Sequence, residues 1–152
     1  MQQISKEEKW HRRFMHIAKE VSTWSKDPSS QIGAVIVGHQ KQTVSQGYNG
    51  FPRGIKDLVK RLKNRETKYK FVVHAEMNAI YNAIHSGASP VGCSIYVYGL
   101  PTCHECAKAI IQCGITHVIN TKMETGPWTE SGNLAQEMFK EVGIKYTTID
   151  LF

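Results

Sequence analysis

Apolar residues recur along the chain at two spacings, one typical of helices and one typical of strands. Between residues 6 and 24 they repeat at steps of three and four, which predicts an amphipathic helix. A nearly continuous apolar run over residues 31–37 predicts a strand that is buried on both faces. A turn over residues 38–42 then leads into a second strand over residues 43–48. The helical stripe consists of Trp10, Phe14, Ile17, Val21 and Trp24.

The rest of the chain alternates helices with strands. One predicted helix runs from His74 to about residue 87, a second runs from Cys103 to about residue 114, and a third covers residues 131–142. The predicted strands cover residues 94–98, 116–120 and 145–149. Strands that alternate with helices after one opening hairpin predict a three-layer α/β domain with a mixed sheet of five strands. A length of 152 residues fits one such domain over residues 1–152.

Composition indicates a globular protein and argues against a membrane-spanning or secreted one. Charged residues make up 21% and hydrophobic residues 41% of the chain, which is ordinary for a globular domain. No apolar run is long enough to span a bilayer, and the N-terminus lacks the hydrophobic region of a signal peptide. We therefore expect a cytoplasmic protein, in the host cytoplasm if the chain is viral.

The formal net charge is +6, and the excess is concentrated in residues 53–70. Such a patch can gather phosphates, either on a nucleic acid or on a mononucleotide. A charged stretch can equally be a solvated surface segment, and the sequence leaves both interpretations open. The basic residues of the stretch are Arg53, Lys56, Lys60, Arg61, Lys63, Arg65, Lys68 and Lys70.

Two short stretches carry candidate metal chemistry, and each opens a predicted helix. The first contains His74 and Glu76, and the second contains Cys103 and Cys106. Because the two cysteines are three residues apart, one helical turn points both sulfurs the same way. One imidazole and two thiolates supply three ligands of a tetrahedral zinc, and the fourth position stays open for water, as in a catalytic site. Glu76 lies close enough to His74 to handle the proton of that water.

Each part of this pattern is weak when taken alone. A C-x-x-C pair can be redox-active or half of a structural zinc knuckle. A non-catalytic, zinc-stabilised nucleic-acid-binding module would use the same residues, but it leaves Glu76 and the count of three ligands unexplained. His104 points away from the face of the cysteines and is not expected to be a ligand. Cys93 and Cys113 lie in apolar company and are expected to be reduced core residues.

These stretches resemble a known enzyme family. H-x-E followed by P-C-x-x-C is the signature of zinc-dependent nucleobase deaminases. This chain departs from that signature at Thr102, which stands between proline and cysteine and can cap the helix that follows. Residues 25–28, 47–54, 74–80 and 107–112 together resemble deoxycytidylate (dCMP) deaminases, and the resemblance runs from about residue 8 to about residue 145.

The resemblance implies a fold, a reaction and an assembly. The fold would be the three-layer α/β/α arrangement of cytidine deaminases, and the reaction would be hydrolysis of dCMP to dUMP in the supply of thymidylate. It also implies a homo-oligomer, commonly a hexamer, that is activated by dCTP and inhibited by dTTP, with Mg²⁺ accompanying the triphosphates. Some members bind a second zinc through additional cysteines, but this chain has no cysteine before Cys93, so we expect one zinc per subunit.

The resemblance also assigns residues. Glu76 would move protons, and His74, Cys103 and Cys106 would hold the zinc. The candidate substrate contacts are Lys26 to the 5′-phosphate, Asn49 to the sugar or base, the backbone amide of Ala75 to the base, and Thr102 and Trp128. The candidate effector contacts are Tyr48, Asn49, Gly50 and Arg53.

One departure and one alternative affect this assignment. The family usually places a tyrosine in the loop after the fourth strand, where Trp128 is the only aromatic residue here, so either Trp128 stacks in its place or that contact is lost. A tRNA adenosine deaminase shares the metal site and would suit a basic surface. The sequence of residues 47–50, Gly-Tyr-Asn-Gly, instead favours the branch that acts on mononucleotides.

Overall fold

A single mixed sheet of five strands forms the centre of the computed structural model, which describes residues 3–122 and 129–151. The strands are β1 (Gly33–Val37), β2 (Thr43–Tyr48), β3 (Ser94–Tyr98), β4 (His117–Thr121) and β5 (Lys145–Ile149). Their spatial order is β2-β1-β3-β4-β5. β1 pairs antiparallel with both β2 and β3, whereas β3, β4 and β5 are parallel.

Helices cover both faces of this sheet. They are α1 (Lys6–Ser22), α2 (Val59–Lys63), α3 (Arg65–Phe71), α4 (Ala75–His85), α5 (His104–Gln112) and α6 (Thr129–Val142). α1 packs on one face, with Phe14 and Met15 in a cluster that includes Val35 and Tyr96. The helices α4, α5 and α6 contribute to the core on the other face. The predicted three-layer α/β/α fold is confirmed.

The continuous apolar run in β1 reflects this double burial. All five residues of the strand are buried. Ala34 and Ile36 belong to the core beneath α4 and α5, whereas Val35 and Val37 belong to the core beneath α1. Because alternate side chains enter opposite faces of a sheet, a strand between two helical layers needs apolar residues at every position.

Most predicted elements lie within two residues of the observed ones, and two short helices were missed. The first helix ends at Ser22, and α6 begins at Thr129. The helices α2 and α3 lie inside the basic segment, where the sequence predicted no element. They have only five and seven residues, too short for apolar periodicity to appear, although Asn64 caps α3 by accepting a hydrogen bond from Thr67 N at 3.0 Å.

Close contact between α4 and β2 fixes the position of α4, which begins directly after His74. A Cβ added at Gly47 would lie 2.3 Å from Ala79 N and 2.6 Å from Ala75 O, so only a glycine allows the helix backbone to approach this strand. Ser45 Oγ also donates to Ala79 O at 2.7 Å. These contacts position the first turn of α4, which carries Glu76.

Two further predictions can be compared with the structure: that Cys93 and Cys113 are reduced core residues, and that the chain has no membrane-spanning segment. Cys93 is buried, Cys113 is partly buried against the same core, and both are free thiols. Across residues 3–122 and 129–151, none of the helices has the length and apolar character that a bilayer crossing requires.

Candidate active site

Three side chains that are far apart in sequence come together as a possible metal site. His74 Nδ1 lies 3.5 Å from Cys103 Sγ and 3.4 Å from Cys106 Sγ. Their candidate ligand atoms all lie within 4.8 Å of one another, and no other such group of three occurs among the residues that the structure describes. His104 is not part of the group, because its Nδ1 contacts Ser131 Oγ at 2.8 Å.

The starts of two helices hold these three side chains. His74 is the N-cap of α4 but makes no capping hydrogen bond with its side chain, so the imidazole is free to bind a metal. Cys103 is the N-cap of α5, and its Sγ accepts a hydrogen bond from Cys106 N at 3.4 Å. A backbone amide at a helix N-terminus favours the thiolate form of cysteine.

The electrostatics of the cluster favour a divalent cation. Hydrogen bonding from Cys106, together with the contact with His74, lowers the pKa of Cys103 to about 4. The contact between the two cysteine side chains raises the pKa of Cys106, and burial adds to that increase. One proton is thus shared between two sulfurs, and a cation can take its place. Sulfur and imidazole donors in this number fit zinc.

Glu76 lies beside the cluster without belonging to it. It is the second residue of α4 and only 4% exposed. Burial, together with the negative charge of Cys103, raises the pKa of Glu76 to about 7. A carboxyl group with such a pKa can both accept and donate a proton near neutral pH.

The cluster opens into a cavity of about 490 Å³, a size typical of small-molecule sites. His74, Ala75, Glu76 and Cys103 line it next to the metal position. Residues 27–30 form part of the wall. The helix α3 contributes another part of the wall through Arg65, Lys68 and Tyr69.

The structure brings some of the predicted substrate residues to this cavity and leaves others elsewhere. Ala75 and Asn49 line it. The Asn49 side chain is already engaged, because its Oδ1 accepts from Ile32 N at 2.9 Å and its Nδ2 donates to Ser30 O at 2.8 Å. Thr102 is buried, and its Oγ1 accepts from Asn120 Nδ2 at 3.5 Å.

Lys26 and Arg53, which were predicted to contact the phosphate and the effector, do not line the cavity next to the metal position. Lys26 Nζ pairs with Asp57 Oδ2 at 2.8 Å on the surface. Arg53 donates a hydrogen bond to Asn82 Oδ1. Trp128 lies outside the described residues, so its predicted stacking role stays a prediction.

Three cations line the cavity that sequence reasoning did not single out: Lys63, Arg65 and Lys68. Arg65 is held in place, since its Nε donates to Tyr69 Oη at 3.1 Å and its guanidinium carbon lies 5.2 Å from the centre of the Tyr69 ring. The charge of the basic segment was the available signal. Charge alone does not show which of its residues face a cavity.

The remaining effector candidates lie at a second, much smaller cavity of about 70 Å³. Tyr48, Asn49 and Gly50 line it together with Lys26 and Asp57. Asn49 and Lys68 line both cavities, so the two are separated by a shared wall.

Comparisons with known proteins agree with this geometry. A family model described as the cytidine and deoxycytidylate deaminase zinc-binding region matches residues 8–122. A deaminase from the luxG 3′ region of Aliivibrio fischeri is 40% identical over 146 residues, which cover 94% of this chain and 95% of that protein. The deoxycytidylate deaminase of Mus musculus is 42% identical over 142 residues, which cover 90% of this chain and 78% of the mouse protein.

A solved structure shares the fold. The dCMP deaminase of cyanophage S-TIM5, in complex with dCMP and dUMP, superposes with a TM-score of 0.74 at 24% identity. The match covers 97% of this chain and all of the phage chain (100%).

Proposed function

Since the chain belongs to the cytidine and deoxycytidylate deaminase family and is a zinc-dependent deaminase, we propose that it hydrolyses dCMP to dUMP and ammonia. The observation that carries this proposal is the arrangement of one cavity. It combines the cluster of His74, Cys103 and Cys106 and the buried carboxyl of Glu76 with cations that suit a phosphate.

We propose that His74, Cys103 and Cys106 hold one zinc ion per subunit. When bound, zinc supplies the activation of a water molecule as a nucleophile near neutral pH. The three side chains fix the position of the metal, and the helices that they begin are packed in the core. Replacing either cysteine would remove a ligand and with it the metal.

Glu76 is the proposed proton carrier. Its carboxylate accepts a proton from the attacking water, whose oxygen bonds to the carbon that bears the amino group. Glu76 delivers that proton to the ring nitrogen. It then takes the second proton from the hydroxyl group now on the carbon and passes it to the departing amine, so that the carbon–nitrogen bond breaks, a carbonyl forms and ammonia leaves. The pKa near 7 that burial gives this carboxyl suits both directions of transfer.

The proposed substrate is a nucleotide because the cavity wall is cationic. Arg65 and Lys63 line the cavity and are matched in charge to a 5′-phosphate. Lys26, the contact predicted from the sequence, is instead 68% exposed and pairs with Asp57. We therefore place the phosphate against Arg65 and Lys63.

Ammonia release from dCMP, deoxycytidine, CMP and an adenosine-bearing tRNA loop tests the proposal. We expect dCMP to be preferred. Arg65→Ala should raise the KM for dCMP about tenfold to a hundredfold, because a charge-assisted hydrogen bond contributes about 1.5–3 kcal/mol. Turnover of deoxycytidine should change little, since it carries no phosphate.

Lys26→Ala, assayed without triphosphates, is the matched control, because it removes a cation that does not line the zinc cavity. A loss of dCMP affinity in Lys26→Ala and not in Arg65→Ala would return the phosphate contact to the residue predicted from the sequence. Equal activity on dCMP and deoxycytidine, or a preference for the tRNA loop, would contradict the proposed substrate.

We further propose a cytoplasmic homo-oligomer, with a hexamer favoured, that supplies dUMP for thymidylate synthesis. Its proposed effectors are dCTP as activator and dTTP as inhibitor, each accompanied by Mg²⁺. The location of Tyr48, Asn49 and Gly50 at a cavity that shares a wall with the zinc cavity supports a regulatory role for this loop.

A further inference from the structure

The helices α2 and α3 form part of the wall of the zinc cavity but belong to neither helical layer. They pack mainly against each other. Next to α3, Gly50 and Val73 form an isolated antiparallel bridge. The ring centres of Phe51 and Phe71 lie 5.8 Å apart. This wall therefore depends on few attachments to the rest of the molecule.

One of these attachments is a buried ion pair. Lys68 Nζ, on α3, lies 3.1 Å from Asp27 Oδ1, and the two side chains are only 8% and 9% exposed. Within residues 3–122 and 129–151, Lys68 is the one lysine that is buried. Both partners line the zinc cavity.

Asp27 is itself held in another part of the cavity wall, the turn over residues 27–30. The oxygen that contacts Lys68 also accepts hydrogen bonds from Ser29 N at 2.8 Å and Ser30 N at 3.2 Å. The carboxylate therefore sits rigidly in the turn over residues 27–30. Through Asp27, Lys68 connects this turn directly to α3.

Thermodynamic stability alone does not account for such a pair. Removing two charges from water costs about as much as their attraction returns, and apolar replacements are often neutral or stabilising. What the pair supplies is a defined geometry, since the ammonium must stay near one carboxylate oxygen. Arg65 and Tyr69 flank Lys68 on the same short helix, so that geometry determines where they lie.

We propose that Lys68 and Asp27 form a positioning pair for the deaminase reaction. The pair holds α3 against the turn over residues 27–30 and places Arg65 and Tyr69 at the cavity, where Arg65 meets the substrate's phosphate. This inference rests on the proposed function for its effect on dCMP. Lys68 acts through α3 and takes no part in proton transfer.

Steady-state kinetics of Lys68→Met test the proposal, since methionine keeps an unbranched apolar stem and removes the charge. We expect the KM for dCMP to rise about tenfold or more, with kcat within about threefold of wild type, as for a loss of binding rather than of chemistry. Zinc content and deoxycytidine turnover should stay unchanged. Lys70→Met is the matched control, because Lys70 is 72% exposed and pairs with the exposed Glu66.

Asp27→Asn gives a second, milder variant, because asparagine can keep the hydrogen bonds to Ser29 and Ser30 while losing the charge. It should also raise the KM for dCMP. A wild-type KM in Lys68→Met and Asp27→Asn would overturn the proposal. So would a fall in kcat that parallels a loss of zinc.

Hydrogen exchange separates this inference from the proposed substrate. Lys68→Met should speed amide exchange in residues 65–72, and Lys70→Met should not. If wild type fails to act on dCMP, the proposed function fails, while faster exchange would still show the pair holding α3. Unchanged exchange in Lys68→Met would contradict the positioning role whatever the substrate.

Discussion

At the residue scale, the site separates two side chains that are only two positions apart. His74 is an N-cap with an extended backbone, at ψ 155°, whereas Glu76 lies within the first turn of α4. Their side chains therefore leave the backbone in different directions. The imidazole joins the cysteines, and the buried carboxyl stays outside the group, where we propose that it acts as acid and base.

Glu76→Gln tests this separation. Glutamine keeps the size of the side chain but cannot carry the proton, so turnover should fall about 10²- to 10⁴-fold. Zinc content, measured by elemental analysis, should equal that of wild type, because His74, Cys103 and Cys106 are untouched.

Glu105→Gln is the control for a charge change near the metal ligands. Glu105 lies between Cys103 and Cys106 in the sequence, but its side chain is 66% exposed and pairs with Lys108 at 2.8 Å. We expect near-normal turnover in this variant. Activity of Glu76→Gln within a few-fold of wild type would remove Glu76 from the proposed mechanism.

Sequence reasoning identified residues of short local motifs that the fold brings together, but it did not identify side-chain partners that are distant in sequence. His74, Glu76, Cys103 and Cys106 are recognisable because each motif spans four residues or fewer. Lys26 was assigned to a phosphate, but its ammonium lies against Asp57, 31 residues away. No spacing pattern reveals such a partner before the chain is folded.

At the element scale, the site depends on how closely α4 approaches β2. The elements with clear hydrophobic periodicity were predicted, but periodicity does not report the distance between a helix and a strand. That distance is set here by Gly47, whose missing side chain leaves room for the backbone of α4. The position of Glu76 therefore depends on Gly47, which lies in a strand that is distant from Glu76 in the sequence.

Gly47→Ala should lower both stability and activity. The added Cβ would lie 2.3 Å from backbone atom Ala79 N, which cannot rotate away. Overpacking of this kind costs about 1–3 kcal/mol, which denaturant unfolding can measure. The shift of α4 should also reduce turnover.

Gly38→Ala is the matched control for the loss of a strand-associated glycine. Its added Cβ would meet the side-chain amide of Gln42 at 2.2 Å, a flexible group that can move aside. We expect a smaller change in unfolding free energy there. Equal destabilisation in the two variants would show that the approach of α4 to β2 is not the cause.

At the scale of the whole molecule, the open edge of the sheet at β2 is blocked. Asn78 Nδ2 donates to Tyr48 O and Asn82 Nδ2 donates to Gln46 O, each at 2.7 Å. These amides occupy carbonyls that another strand would need for pairing. The neighbouring surface of α4 exposes Tyr81 and Ile84, at 48% and 62%. Assembly of the proposed oligomer would therefore use side-chain surfaces such as this one and not extension of the sheet.

The proposed regulation depends on that assembly. The cavity at Tyr48, Asn49 and Gly50 measures about 70 Å³. A single water takes up about 30 Å³ of the liquid, so this space is far too small for a nucleoside triphosphate. We therefore propose that an effector site at this loop is completed by a second subunit. Binding of dCTP and the oligomeric state should therefore be linked.

Light scattering and calorimetry on the same sample test this link. We expect an oligomer that binds dCTP with Mg²⁺, and dCMP kinetics that change from sigmoidal to hyperbolic when dCTP is added. dTTP should act in the opposite direction. Dilution that dissociates the oligomer should abolish dCTP binding, because each subunit supplies only part of the site. A monomer with hyperbolic kinetics and no triphosphate binding would show that this chain lacks the regulation. The proposed deamination, which we assign to His74, Glu76, Cys103 and Cys106, would be unaffected.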